Sequence, residues 1–306
     1  MKVVIIGGVA GGASTAARLR RLDENAEIVI FERGNHVSFA NCGIPYYCGD
    51  VIKDIDKMLV QTPEKLHALL NIDVRVRSEV ISINRDKKTV TVLNKDSNTQ
   101  YEESYDKLVL SPGASPVKPP IDGIDDERIF TVRNLDDAEF IKNYIKNNQV
   151  QTAAVVGGGF IGVEMAENLV FAGLNVSLVE MSDQIMNQLD YEIAVQAQNH
   201  LRSKGVNLYL SDAVTSFEKN NTLKVNLHTK KQLEVDIVIL AIGVRPEIKL
   251  AKESGLEIGK TGGIFVNENL QTSDASIYAL GDAIEVKDMV SGFASLVPLA
   301  GPANKQ

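Results

Sequence analysis

"TAAVVGGGFIGVEMAENLVFAG", residues 152–173, is an apolar run, three glycines and a stretch with helical spacing. That order reads as a strand, a tight turn and a helix, the opening of a βαβ unit. A helix that starts behind glycines presents free N–H groups and its positive dipole end to a pyrophosphate. Gly157, Gly159 and Gly162 satisfy G-x-G-x-x-G, the spacing that lets backbone approach a dinucleotide closely. The same device opens the chain. "KVVIIGGVAGGASTAARLRRL", residues 2–22, has Gly7 and Gly12 at the outer positions, and Val9 between Gly8 and Gly11 where the second glycine is expected. Val9 leaves less room for close backbone approach. Each copy leads to a second strand ending in an acid, "EIVIFE" at Glu32 and "NVSLVE" at Glu180. A carboxylate there accepts hydrogen bonds from both hydroxyls of an adenosine ribose. One such acid alone reads as a solvated strand end; two copies with strand, helix and acid in place argue against coincidence. Glu180 also repels a 2′-phosphate, so NADH is expected over NADPH.

Working outward, "SEVISINRDKKTVTVLNKDSNTQYEESYDKLVLSPGASP", residues 78–116, reads as short strands with turn signals and completes the first domain. "DIVILAIGVRPE" and "LQTSDASIYALGDAIEV", near the end, again give strands that stop at glycine. The fold class expected is α/β, with two Rossmann-like three-layer dinucleotide-binding domains, the second inserted in the first. The first takes residues 1–112 and 245–306 and the second residues 113–244. A formal charge of −8 argues against a nucleic-acid partner, which needs a basic surface. No apolar run is long enough for a membrane span, and the first strand begins at residue 2, so no signal peptide is read. His36, His67, His200 and His228 lie far apart with no ligand spacing, so no metal site is expected. Two cysteines suit a reducing cytoplasm, the location expected.

Both cysteines lie in "VSFANCGIPYYCGD", residues 37–50. Pro45 suits the first turn of a helix, which puts Cys42 at its N-terminus and Cys48 further down. Six helical residues rise about 9 Å, whereas bridged Cα atoms are usually under about 7 Å apart. A Cys42–Cys48 disulfide therefore requires the helix to be distorted or absent, and the reading is that Cys42 works alone. A helix N-terminus favours its thiolate, while Cys48 reads as a small buried apolar residue.

This combination resembles the FAD-dependent pyridine nucleotide–disulfide oxidoreductases over essentially the whole chain. "GGVAGG" with "SFANCGIPYY" is most similar to their single-cysteine branch, which includes coenzyme A disulfide reductases. The resemblance implies FAD on the first glycine loop, at Gly7, Gly8, Ala10, Gly11 and Gly12, with Glu32 and Arg33 after the second strand. It brings the backbone around Val80 to the adenine. Gly113 lies in the crossover "LVLSPGASP", where Pro112 departs from the usual small residue; Gly281 and Asp282 lie in "TSDASIYALGD", with Asp282 on the ribityl chain. NAD(P)H is implied at Gly157, Gly159, Phe160, Ile161, Gly162, Glu164, Glu180 and Gly243. Phe160 would be an aromatic gate over the flavin, or else plain helix–sheet packing; Glu164 would lie near the flavin and nicotinamide, or else be a capping or surface acid. Cys42 would be the redox sulfur against the flavin.

Ser38 and Asn41 match the coenzyme A branch. Ser14, Arg18 and Arg21 share one face of the first helix and would bind the coenzyme A phosphates, unless the arginines pair with Asp23 or Glu24. The implied activity is reduction of CoA disulfide, or of a related persulfide, through a Cys42 mixed disulfide. An NADH oxidase or peroxidase using a Cys42 sulfenic acid, and a flavin electron carrier to a protein partner, remain open. Family members continue beyond "PLAGPANKQ" into a dimerisation domain, so a homodimer is expected of a chain that carries it. An exposed apolar patch is expected where that domain packs.

Overall fold

The computed structural model describes residues 1–306 and divides into two compact units. The first takes Met1–Phe39, Leu59–Ser115 and Arg245–Gln306; the second takes Ala40–Met58 and Pro116–Val244.

In the first unit five parallel strands stand in the order Ile277–Ala279, Lys107–Leu110, Lys2–Ile6, Glu27–Phe31, Asp73–Arg75. Lys2–Ile6 is central and buried along nearly its whole length because its alternate residues serve two cores. Val3 and Ile5 pack with Ala16, Ile28 and Ile30 on the helix side. Val4 and Ile6 pack with Val29, Phe31, Val80, Val90 and Val92 on the other. The last three belong to an antiparallel meander, Ser78–Asn84, Thr89–Asn94 and Thr99–Ser104. Each such aliphatic side chain contributes about 1.5–3 kcal/mol on burial, so period-two alternation holds helix, sheet and meander as three layers.

The second unit repeats this plan. Its parallel strands run Asn207–Tyr209, Asn175–Val179, Thr152–Val156, Ile237–Leu240, Ile129–Thr131. A meander of Val214–Lys219, Leu223–Leu227 and Gln232–Val235 again covers one face, through Phe217, Val225, Leu227, Leu233 and Val235. In both sheets the strand order reverses beside the strand that leads into the glycine loop, Lys2–Ile6 in one and Thr152–Val156 in the other, and open α/β sheets bind ligands at such a switch point.

Residues 40–58 join the second unit, whereas the sequence reading kept them with the first. Helix Ile44–Cys48 packs on helices Leu135–Asn147 and Phe160–Phe171, which accounts for this. No helix is long and apolar enough to cross a membrane.

Candidate functional site

The two glycine loops are alike down to individual hydrogen bonds. The N–H of Gly7 donates to the Phe31 carbonyl at 2.8 Å, and that of Gly157 to the Val179 carbonyl at 2.8 Å. Each glycine has positive φ, +97° and +108°. A Cβ would lie 2.1 Å from the Ser111 carbonyl oxygen at Gly7 and 2.4 Å from that of Ala241 at Gly157. Both the conformation and the space therefore demand glycine. The third glycine of each loop meets the first: a Cβ on Gly12 or Gly162 would stand 1.9 Å from the carbonyl oxygen of Gly7 or Gly157.

The acids are built in equally closely. Glu32 accepts from the Gly8 N–H at 2.9 Å and the Gly34 N–H at 2.8 Å. Glu180 accepts from the Gly158 N–H at 2.6 Å and the Ser182 N–H at 2.8 Å. Each carboxylate is thus clamped between the glycine loop and its own turn, with lone pairs remaining for sugar hydroxyls.

The loops differ at the middle position. Gly159 caps helix Phe160–Phe171, and nothing of the protein lies within 4 Å of where its Cβ would be. Val9 caps helix Ala10–Leu22 in its place. Gly11 packs close, since a Cβ there would lie 2.2 Å from Leu280 Cδ1; its counterpart Ile161 is exposed instead. Gly113 and Gly243 follow equivalent strands, both with positive φ and with no protein atom near a would-be side chain.

Around the first loop, Val80 is a core residue beside a bulge in the meander, so only its backbone can face a ligand. Arg33 pairs with Glu247 at 3.2 Å. The Asp282 carboxylate lies half-buried in the short turn Gly281–Ala283 with no side-chain partner, and burial pushes its pKa up. On the first helix the Ser14 hydroxyl donates to Asn304 Oδ1 at 2.9 Å, on helix Ala300–Lys305. Arg18 and Arg21 are exposed. Neither guanidinium pairs with Asp23 or Glu24; the neighbour Arg20 instead gathers backbone carbonyls of Leu70, Asp23, Glu24, Ala26 and Asn71.

In the second unit Phe160 is 46% exposed, so its ring is not enclosed in the core. Glu164 follows one turn later; burial and the neighbouring Glu167 push its pKa up, and its carboxylate has no hydrogen-bond partner. Cys42 occupies a one-turn 3-10 helix, Asn41–Gly43, that runs into helix Ile44–Cys48. It therefore lies two residues before the α-helix, directly ahead of its capping residue Gly43. Pro45 is in the first turn, as read. Cys42 and Asn41 are exposed. Both thiols are free; Cys48 is 2% exposed, its Sγ is 3.8 Å from the Ala138 carbonyl, and burial pushes its pKa up to about 12.

Lys142 was not legible as part of this site. Its Nζ pairs with Asp50 at 2.9 Å, donates to the Ile52 carbonyl at 3.2 Å and stands 4.0 Å over the Tyr47 ring. It tethers the end of the cysteine helix from a partner about ninety residues away, a separation that carries no sequence signal. No group of His, Cys, Asp and Glu residues is placed to hold a metal.

Two switch-point cradles, each with a glycine turn and a clamped acid, together with an exposed thiol define the scaffold of a dinucleotide-dependent oxidoreductase. The chain belongs to the pyridine nucleotide-disulphide oxidoreductase family, which it matches over residues 1–301. It is 38% identical over 304 residues to the coenzyme A disulfide reductase of Staphylococcus aureus strain JH9, covering 99% of this chain and 68% of that one. Among solved structures it is similar to reduced CoADR-RHD of Bacillus anthracis (51% identity, TM-score 0.97, 99% of this chain and 55% of that one). It is also similar to a NAD-dependent persulfide reductase from A. fulgidus (38% identity, TM-score 0.96, 100% of this chain and 57% of that one). The chain thus spans little more than half the length of these two solved relatives.

Proposed function

We propose that this chain is the dinucleotide-binding part of a flavoprotein that reduces CoA disulfide, or a CoA persulfide, with NADH through the single cysteine Cys42. The observation that carries the reading is the contrast between the two thiols. Cys42 is exposed beside Asn41, while Cys48 is enclosed and stays protonated at neutral pH. Similarity to a coenzyme A disulfide reductase and to a persulfide reductase supports the substrate class.

The residues present fit two dinucleotides. Clamped Glu32 and Glu180 retain acceptor capacity, Asp282 has an unpaired carboxylate, and the space before Gly159 is free of protein. Glu32, Asp282 and the Gly7–Gly12 loop would hold FAD; Glu180 and the Gly157–Gly162 loop would hold NADH, the Glu180 charge disfavouring a 2′-phosphate. FAD, when bound, supplies two-electron exchange between a nicotinamide and sulfur. The chain's own part is thiol–disulfide exchange. The Cys42 thiolate attacks one sulfur of CoA disulfide, forms Cys42–S–S–CoA and expels one CoA thiolate; two electrons then cleave that bond, releasing the second CoA thiolate and restoring Cys42. Arg18 and Arg21, free of partners on one helix face, would meet the CoA phosphates. The same reading takes the protein as cytoplasmic, and as a homodimer when a chain carries the further length of its relatives.

Non-reducing mass spectrometry of the peptide carrying both cysteines tests this. A CoA adduct on Cys42 is expected. An internal Cys42–Cys48 bridge would sink the single-cysteine reading, and a trapped sulfenic acid on Cys42 would turn it to an oxidase or peroxidase.

A further inference from the structure

Along residues 41–50 the exposed side chains are Asn41, Cys42, Tyr46 and Asp50. Cys42 and Tyr46 stand about one turn apart in the helical run Asn41–Gly43 and Ile44–Cys48, and so share a face. Every residue of helix Ile44–Cys48 except Tyr46 is buried. The two neighbouring tyrosines therefore differ. Tyr47 is 6% exposed, with the Lys142 ammonium over its ring, whereas Tyr46 is 37% exposed. The Tyr46 backbone is fixed, since its carbonyl accepts from the Val51 N–H at 2.9 Å and the Ile52 N–H at 3.0 Å. Its hydroxyl makes no hydrogen bond within the protein. Asp50, further along, is taken up by Lys142 at 2.9 Å. A phenol and the Asn41 amide are thus the polar groups left beside the thiol, and the phenol offers a donor on a stiff side chain.

Thiol–disulfide exchange proceeds in line, so the departing sulfur stands two S–S lengths, roughly 4–5 Å, beyond the attacking one. One helical turn is about 5.4 Å. A donor one turn from Cys42 is therefore spaced for the departing sulfur rather than the attacked one. We propose that the Tyr46 phenol donates a hydrogen bond to the sulfur that leaves when Cys42 opens CoA disulfide; this rests on the proposed reading that Cys42 performs that exchange. The Cys42 thiolate forms the new S–S bond, the old one breaks, and its electron pair stays on the departing CoA sulfur. A phenol is a weaker acid than a thiol, so its proton remains on oxygen and the hydrogen bond alone steadies the thiolate.

The test follows a single exchange on the purified protein, reduced at Cys42 and free of NADH, for wild type, Tyr46→Phe and Tyr46→Leu. Two disulfides are compared. CoA disulfide is followed by mass spectrometry of the adduct on Cys42. Dithiobis(nitrobenzoate), whose aryl thiolate leaves readily, is followed by its colour. Both variants should melt with wild type, because the phenol has no partner in the fold. Each should add CoA about tenfold more slowly, the loss of one hydrogen bond to a charged group, and react with the nitroaryl disulfide at nearly the wild-type rate. Equal slowing with both disulfides would mean that Tyr46 acts on Cys42 itself, and overturns the inference. So does a loss of folding in both variants, which would give the phenol a structural task. Unchanged rates with CoA disulfide overturn it too and leave the Cys42 reading intact. A wild-type chain that reacts with the nitroaryl disulfide but adds no CoA overturns both.

Discussion

Cys42 and Cys48 are the same side chain in two surroundings, and the surroundings decide the chemistry. With its pKa at about 12, Cys48 is ionised in about one molecule in ten thousand at pH 8, and only the thiolate is nucleophilic. Brief iodoacetamide treatment of the native protein at pH 8 should therefore label Cys42 alone, and both thiols only after denaturation. Native labelling of Cys48, read by peptide mapping, would show that the packing against Ala138 does not enclose it. The burial of Cys48 was legible from its spacing to Cys42, which placed it further along a helix. Its contact with Ala138 was not, because that residue is ninety positions distant in sequence.

At the scale of the element, strand, glycine turn and helix form a device in which each glycine answers a different constraint. Gly157 is required by the protein itself, through its φ of +108° and the Ala241 carbonyl 2.4 Å from a would-be Cβ. Gly159 is unconstrained by any protein atom within 4 Å. Gly157→Ala should accordingly lower the melting temperature of the chain, by strain of order 1–3 kcal/mol or more. Gly159→Ala should leave the melting temperature within a degree or two and weaken NADH binding several-fold. Calorimetry and a nucleotide titration on both variants check this; equal thermal losses would mean that the open space before Gly159 is needed for folding rather than for a ligand. Val9 in the corresponding place of the first loop is consistent with that distinction, since the strand, the helix and the Glu32 clamp all form around it.

Over the whole molecule, charge sets the response to acid. Arg128 beside Asp126, in a two-pronged pair at 2.8 Å, holds that carboxyl down to about 2. Burial would raise Glu103 and Asp274, but Lys2 with Arg75 on the one and Arg85 on the other hold both low. A depressed carboxylate stabilises the fold above its unfolded pKa and loses that contribution as pH falls through its folded value. Asp137, Glu164 and Asp282, raised by burial, act with the opposite sign: their contribution is present at low pH and lost as pH rises through their folded values. With the ion-paired acids prevailing, thermal stability should fall steeply between about pH 4 and pH 2. Asp126→Asn should cost about 1–2 kcal/mol at pH 7 and flatten part of that slope. A melting temperature constant across the window would refute the assignment.

The sequence by itself determined the repeated βαβ plan, the glycine turns, the acids that end the second strands and the α/β class. These are local features: period-two apolar runs, a glycine where φ must be positive, a charge at a strand end. Tertiary structure alone decided that residues 40–58 join the second unit, that Lys142 tethers the cysteine helix, and that the second unit carries its own meander over the sheet. Each of these depends on contacts between segments far apart in the chain. Such contacts are set by how apolar faces and buried polar groups find one another in space, and no short stretch of sequence encodes that.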